Sequence, residues 1–491
     1  MVRISEGLKK MKLFSMYIDG AWREPEGGEW LDSLDPATGE AWARIPRGRA
    51  ADAMRAAEAA HLAFTQGPWS RMRPTARGAL LRKLADLLAR DAHVLAELDV
   101  RDNGKPIAEL RKQFGYLPEH WHYYAGLADK VESHVIPVDR PGVLNFTRFE
   151  PVGVVLAITP WNSPLPIASW KIAPALAAGC TVILKPSEHA SASTLHFCSL
   201  VEEAGFPPGV VNVVTGYGAE VAAPLVEDPR VAKITFTGGE AGGRAVYELA
   251  AKHLKPVLLE LGGKSPVVVF DDADLAKAVP ATLAGIYSSS GQSCVAGSRL
   301  LLQRGIHDEF MRRLLEAAQR IEVGAPQLDG TTMGPISTRA QYDAVRRRIE
   351  EARADGAKQL LGTEALPRGC EQGWYVPPTV FADVEPDMRL WKEEVFGPVL
   401  AVIAFDSEEE AVRLANDSEY GLAAGVWTQD ISRGLRMSEA IQAGTVWINA
   451  YRGVSSMTPL GGYKKSGFGR ENGSEAMREY LQVKSVWVEF Q

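Results

Sequence analysis

Residues 153–188 read GVVLAITPWNSPLPIASWKIAPALAAGCTVILKPSE, and their pattern decides the fold class. Two short apolar, β-branched runs, GVVLAIT (153–159) and TVILK (181–185), flank a helical stretch over 164–179. The same texture continues outward. VVNVV (210–214) and AKITFTG (232–238) read as strands, and 189–205 and 217–228 as helices between them. Strands without polar alternation, separated by helices, predict βαβ units in a parallel sheet buried on both faces. An open sheet of that kind is the usual home of a dinucleotide. Beyond Glu260 the alternation resumes with SPVVVF (265–270), RLLLQ (299–303), LAVIAF (400–405), AAGVWT (423–428) and GTVWINA (444–450), which predicts a second α/β unit. Ahead of 153, residues 50–99 carry helical periodicity that NGKP (103–106) interrupts.

Two segments fit neither unit. ESHVIPVDRPGVLNFTRFE (132–150) reads as extended strands joined by a Pro-Gly turn. The terminal VKSVWVEFQ (483–491) puts Val486, Val488 and Phe490 on one face. An apolar edge strand invites pairing with another chain unless covered. Together these segments predict a protruding arm that pairs with a second subunit; the alternative is a terminal strand folded back on its own chain. Residues 1–16 read as an N-terminal extension without a signal-peptide pattern.

Composition narrows the function class. The 491 residues are 46% hydrophobic and 23% charged, with a net charge of -7. That balance gives no electrostatic reason to expect nucleic acid or an anionic membrane as a partner. No apolar run approaches the roughly 18–20 residues that span a bilayer. Four cysteines, Cys180, Cys198, Cys294 and Cys370, form no disulfide framework and no C-x-x-C pair, which suits a reducing cytoplasm. His120 and His122, in EHWHYY, read as part of a packed helix, and no metal is expected.

Chemistry is concentrated around SSSGQSCVAGSR (288–299). A structural cysteine usually sits among aliphatic neighbours, whereas Cys294 is surrounded by Gly and Ser, which let a ligand or a backbone come close. Glu260, in LELGGKSP, precedes it by 34 residues. A thiolate nucleophile with a carboxylate base can form and then hydrolyse an acyl-enzyme. GGKS (262–265) lacks the upstream Gly of a phosphate-binding loop, since that position is Leu258. TGGEAGG (237–243) follows a strand and opens a helix, a geometry that favours phosphate. Glu188, ending KPSE, can accept from ribose hydroxyls and would repel a 2′-phosphate, favouring NAD over NADP. Two other readings remain: a cysteine hydrolase or acyl transferase, which needs a histidine base absent from these motifs, and a non-catalytic dinucleotide-binding protein.

TPWNSP (159–164), WKIAPALAAG (170–179), KPSE (185–188), FTGG (236–239), LELGGKSP (259–266), GQSCVAGSR (291–299), EEVFGPV (393–399) and PLGGYKKSGFGRENG (459–473) occur in one order. From about Tyr17 to the C-terminus the chain resembles the NAD(P)-dependent aldehyde dehydrogenase superfamily. The resemblance implies a Rossmann-type cofactor domain (17–131 and 151–259), an α/β catalytic domain (260–473) and a β oligomerisation arm (132–150 and 474–491). It implies that Cys294 attacks the aldehyde, that Asn162 and the Cys294 backbone N–H hold the oxyanion, and that Glu260 activates water to release the acid. Members that pass the acyl group to coenzyme A generally lack that glutamate. Lys171 matches a lysine given a proton-relay role.

For the cofactor, the resemblance points to Trp161, Lys185, Glu188, Gly238, Gly239, Gly243, Leu261, Glu394 and Phe396. Gly239 stands where the family often has Ser. Ser163, Ile167, Trp170, Ser293, Val295, Tyr451, Arg452 and Leu460 match places that line or border the substrate tunnel. Most are small or apolar, so a medium-sized apolar or aromatic aldehyde is expected, with a semialdehyde as the alternative if Arg452 recognises a carboxylate. A homo-oligomer, dimer or tetramer, is the expected assembly. A cysteine activated for attack is also expected to be open to peroxide.

Overall fold

The structure is a computed structural model; it describes residues 3–4, 11–362 and 365–490. Half of the expected N-terminal extension, residues 1–2 and 5–10, lies outside the described residues. Met16 already belongs to the large sheet, in the strand Met16–Ile18.

Two sheets organise the chain. The first has eight strands, and its parallel centre runs in the order Val257–Glu260, Val231–Thr237, Val154–Ile158, Thr181–Lys185, Val211–Val213. Every residue of Val154–Ile158 and Thr181–Lys185 is buried, which explains why these runs lack alternation. The chain leaves Val154–Ile158 towards Thr181–Lys185 on one side and returns to Val231–Thr237 on the other. Strand order therefore reverses at Val154–Ile158, and a crevice opens beyond the carboxyl ends there. Antiparallel strands extend both edges. Met16–Ile18 and Ala21–Arg23 flank Val211–Val213, and Gly467–Phe468 pairs with Leu259–Glu260.

The second sheet has seven strands: Lys358–Leu361, Thr379–Ala382, Val399–Phe405, Arg299–Gln303, Pro266–Val269, Ala423–Trp427 and Thr445–Ile448. All neighbours are parallel except the first pair. This is the expected second α/β unit.

The helical stretch before Asn103 is two helices, Ala50–Thr65 and Pro74–Asn103, parted around Gly67 and Pro68. Gly104, at φ 76°, ends the second, and the chain turns through Lys105 into Ile107–Leu127. His120 on that helix is buried, its ring nitrogen 3.1 Å from the Ser169 carbonyl oxygen; burial pulls its pKa down to about 4. It therefore packs as a neutral ring.

Leu481–Glu489 pairs antiparallel over nine residues with Val143–Pro151, which also holds Val135–Ile136. The terminal strand's partner is its own chain, the alternative of the two sequence readings. Nine cross-strand pairs satisfy one edge; the other, with Val483, Trp487, Val488 and Phe490 exposed nearby, stays open.

Candidate active site

The crevice at the switch point is a cavity of about 510 Å³. Each strand end around it delivers one expected residue. Lys185 ends its strand buried, and its Nζ donates to Glu188 at 2.9 Å. Burial acts to raise the Glu188 carboxyl, but the Lys185 ammonium and the local backbone N–H outweigh it and hold the group below the ordinary carboxylate range. Glu188 therefore faces the cavity as an anion.

Val231–Thr237 runs into Gly238 and Gly239, both on the cavity wall, and Gly239 caps the helix Glu240–Lys252. The helix N-terminus presents backbone N–H groups there, a ready anion site. Gly243 does not line the cavity. It is buried under Leu261, which does, so its part is to let helix and strand end pack closely.

Across the crevice, Trp161 and Phe396 meet edge to face, centroids 5.4 Å apart. Glu394 accepts from the Gly263 N–H at 2.9 Å. Burial pushes its carboxyl up to about 7, with Gly263 and Lys264 opposing. The Gly-Gly pair that failed as a phosphate loop has another purpose. A Cβ on Gly262 would lie 2.3 Å from the Glu394 carboxylate, and one on Gly263 would lie 2.4 Å from the Cys294 carbonyl oxygen. Only glycine lets the first sheet's strand end touch both.

A second cavity, about 210 Å³, lies beyond Cys294. Cys294, Asn162 and Ile167 line both cavities. The loop that carries Cys294 is held rigidly. Ser289 and Ser290 sit in the left-handed region (φ 55° and 54°), a conformation costing about 1–3 kcal/mol per residue. Three contacts hold it. The Ser289 N–H and hydroxyl both donate to Glu109, the first at 2.8 Å, and the Ser290 hydroxyl donates to the Gly334 carbonyl at 2.7 Å.

Asn162 Nδ2 donates to the Gln292 carbonyl at 3.0 Å, which leaves its second N–H for a ligand. Burial pushes the Cys294 thiol up to about 12; Glu260 and Glu394 add to the rise, while Arg452 opposes it. The thiol is raised although Cys294 is only half-buried, on the walls of both cavities.

Glu260 stands behind this junction, on the wall of neither cavity. It is buried, and one of its carboxylate oxygens has no hydrogen-bond partner. Burial first, then the Glu471 carboxylate, raise it well above the usual range, while Lys171 and Arg470 pull the other way. Lys171 also lines neither cavity. It is fully buried, ion-paired with Glu471, and donates to Thr235 Oγ1 at 3.1 Å. Replacing Lys171 with Met leaves Glu471 buried without its cation, and a loss of about 3–5 kcal/mol is expected. A urea midpoint comparable to wild type would contradict this.

Of the expected substrate-side residues, Ser163, Ile167, Trp170, Ser293, Val295, Arg452 and Leu460 line the smaller cavity. Tyr451 does not; its hydroxyl donates to the Val295 carbonyl at 3.0 Å and its ring packs on Gly297 and Gly425. Four residues escaped the sequence reading: Lys105, Glu109 and Gln113 on the smaller cavity, and Glu471 beside Lys171. NGKP was legible only as a helix break, and Glu471 lay inside a recognised motif without a partner to give it meaning.

Comparison with known proteins follows the same lines. A family model described as "Aldehyde dehydrogenase family" matches residues 22–486. The (Z)-2-((N-methylformamido)methylene)-5-hydroxybutyrolactone dehydrogenase of Acinetobacter baylyi is 46% identical over 97% of both chains. Retinal dehydrogenase 2 of Homo sapiens is 43% identical over 98% of this chain and 92% of its own. The crystal structure of an NAD-dependent aldehyde dehydrogenase from Sinorhizobium meliloti superposes with a TM-score of 0.95 at 42% identity, covering 97% of this chain and 95% of the other. A betaine aldehyde dehydrogenase from Staphylococcus aureus, solved in complex with NAD+, gives 0.95 at 39% identity, covering 96% and 94%.

Proposed function

The chain belongs to the aldehyde dehydrogenase family, and from that premise we propose that it oxidises an aldehyde to the carboxylic acid with NAD, using Cys294 as nucleophile and Glu260 as base. One observation carries the reading: Cys294 lies on the wall of two cavities at once, a large crevice and a small chamber. A residue so placed can bond to a substrate in the chamber while the acceptor occupies the crevice.

The crevice suits a dinucleotide. Gly238 and Gly239, at a helix N-terminus on the crevice wall, would take the pyrophosphate, Lys185 and Glu188 would bind the adenosine ribose, and Glu394, Phe396 and Trp161 would hold the nicotinamide end. When bound, NAD supplies the hydride acceptor. The protein's residues do the rest. The Cys294 thiol loses its proton to solvent as Sγ adds to the carbonyl carbon, and the oxyanion is held by the free Asn162 N–H and the Cys294 backbone N–H. Loss of hydride from the thiohemiacetal leaves a thioester on Cys294. Glu260 takes a proton from water, which attacks the thioester and frees the acid and the thiol. Burial and the Glu471 carboxylate raise the basicity of Glu260, which suits a general base, and the Lys171–Glu471 pair beside it offers the proton an onward route.

NADH formation over an aldehyde panel tests the reading. Turnover with NAD on at least one small aldehyde is expected; NAD binding without turnover on any would favour the binding-protein alternative. Glu188 is expected to set the cofactor preference, because like charges brought together cost several kcal/mol. Glu188→Gln should lower the NAD-to-NADP ratio of kcat/KM by about 10-fold or more, and an unchanged ratio would remove Glu188 from that role.

Size bears on the substrate. A chamber of about 210 Å³ is below the roughly 300–1,000 Å³ of sites for drug-sized ligands. That argues for a small aldehyde over a retinal-sized one, and the charged residues on its wall argue against the apolar or aromatic aldehyde expected from the sequence. The Acinetobacter relative's name supports the same direction, since a 5-hydroxybutyrolactone is the ring-closed form of an aldehyde that carries a carboxyl group. The cofactor and catalytic domains are proposed to divide at Glu260, between the two sheets. The arm strand, with its open apolar edge, is proposed to join subunits of a homo-oligomer.

A further inference from the structure

We propose that Lys105, Ser163 and Gln113, with Arg452 across the chamber, form a carboxylate-binding subsite, so that the substrate is a small aldehyde bearing a carboxylate. The proposal rests on the aldehyde-oxidising reading of Cys294.

Hydrogen-bond accounting points to a missing anion. Lys105 is 5% exposed, and lysine is almost never so buried without a partner. Its Nζ donates to Ser163 Oγ at 2.5 Å, and no carboxylate lies within ion-pair distance of it among the described residues. Ser163 Oγ also accepts from Gln113 Nε2 at 3.2 Å. Both lone pairs of that hydroxyl are taken, so its own proton is left to donate. Lys105 retains further N–H donors. Gln113 Oε1 is buried with no partner and can accept an N–H or O–H from the same ligand.

Charge points the same way. Glu109 is the one carboxylate on the chamber wall, and its oxygens are committed to the Ser289 N–H and hydroxyl. Arg452 feels the Glu109 charge but forms no close ion pair among the described residues; it donates to the Ala284 and Ser288 carbonyls, each at a long 3.4 Å. Two cations on the wall share one wall carboxylate, Glu109, whose charge reaches both, and behind the wall the buried Asp99 also acts on Lys105. An apolar aldehyde would seal Lys105 away from water without any carboxylate at ion-pair distance, which is unfavourable. A neutral amide would meet the donors but not the charge. A carboxylate meets both, and its aldehyde end then shares the chamber with Cys294.

The test compares kcat/KM of the NAD-loaded protein for succinate semialdehyde, its methyl ester, and butanal. Wild type is expected to prefer the acid over the ester by about 100-fold, mainly through KM. In Lys105→Met that preference should collapse, and Lys105→Arg should restore part of it. Arg452→Gln, at a half-exposed position, should lower it by about 10-fold. Equal use of acid and ester by wild type overturns the subsite while leaving the aldehyde reading intact. No turnover of any of the three overturns the aldehyde reading instead. Should Lys105→Met fail to fold, succinate inhibition of wild type decides. Competition against butanal supports the subsite, and no competition, with the neutral diamide as control, rejects it.

Discussion

Replacing Cys294 with alanine is expected to lower NADH formation on every aldehyde by at least about 10⁴-fold, with NAD binding retained. No other thiol can stand in. Cys180 and Cys198 are fully buried in the core around the first sheet, where burial pushes both thiols upward, and Cys370 is buried in a loop remote from both cavities. NAD binding should survive because Cys294 is one of many residues around the crevice and none of the charged ones. The residual rate is read from NADH absorbance, and binding from quenching of tryptophan fluorescence, to which Trp161 contributes. A variant with more than a few per cent of wild-type turnover would remove Cys294 from the mechanism. The neutral resting thiol adds a pH signature. With the thiol raised to about 12, each unit of rising pH below that value multiplies the thiolate fraction by about 10, so wild-type kcat/KM should climb with pH through the neutral range. A profile flat from acid to alkaline pH would mean that burial is relieved before attack.

Glu260→Gln should separate the two halves of the reaction. Glutamine keeps the size of the side chain but cannot take a proton, so thioester formation proceeds and its hydrolysis slows by about 10²–10⁴-fold. The expected trace is a burst of one NADH per active site followed by a slow steady state, with the acyl group trapped by hydroxylamine. The structure gives the reason. Glu260 is buried beside Glu471, basic for a carboxylate, with one oxygen unpartnered and able to receive a water proton. A slowed first turnover without a burst would shift the role of Glu260 to activation of Cys294, whose thiol its charge already raises.

Much of this architecture was written along the chain. Thr181–Lys185 and Arg299–Gln303 occupy the very residues read as strands, and Pro164–Ala178 the helix between the first two, because burial on both faces leaves a short apolar run that needs no distant information. The glycines around Cys294 and Glu260 were equally visible, since close approach demands small residues locally. The order of the sheet was not visible. That Val154–Ile158 is the point of reversal depends on which strands pair, and pairing is a long-range property. The arm shows the same limit: an apolar terminal strand announces that it needs a partner, but its nine-residue register with Val143–Pro151 exists only in three dimensions.

The site divides along the same boundary. Sequence alone determined the candidates: a cysteine set among glycines and serines, a glutamate near a Gly-Gly pair, and an acidic residue at a strand end, singled out by residue type and neighbours, with an asparagine after Pro-Trp that the family resemblance added. Tertiary structure alone decided the environment. Lys105 meets Ser163 across 58 residues, Glu109 meets Ser289 across 180, and Lys171 meets Glu471 across 300. The charge of the chamber and the basicity of Glu260 arise from desolvation and from neighbours that only packing brings together. A linear sequence encodes neither until the sheets have closed around them.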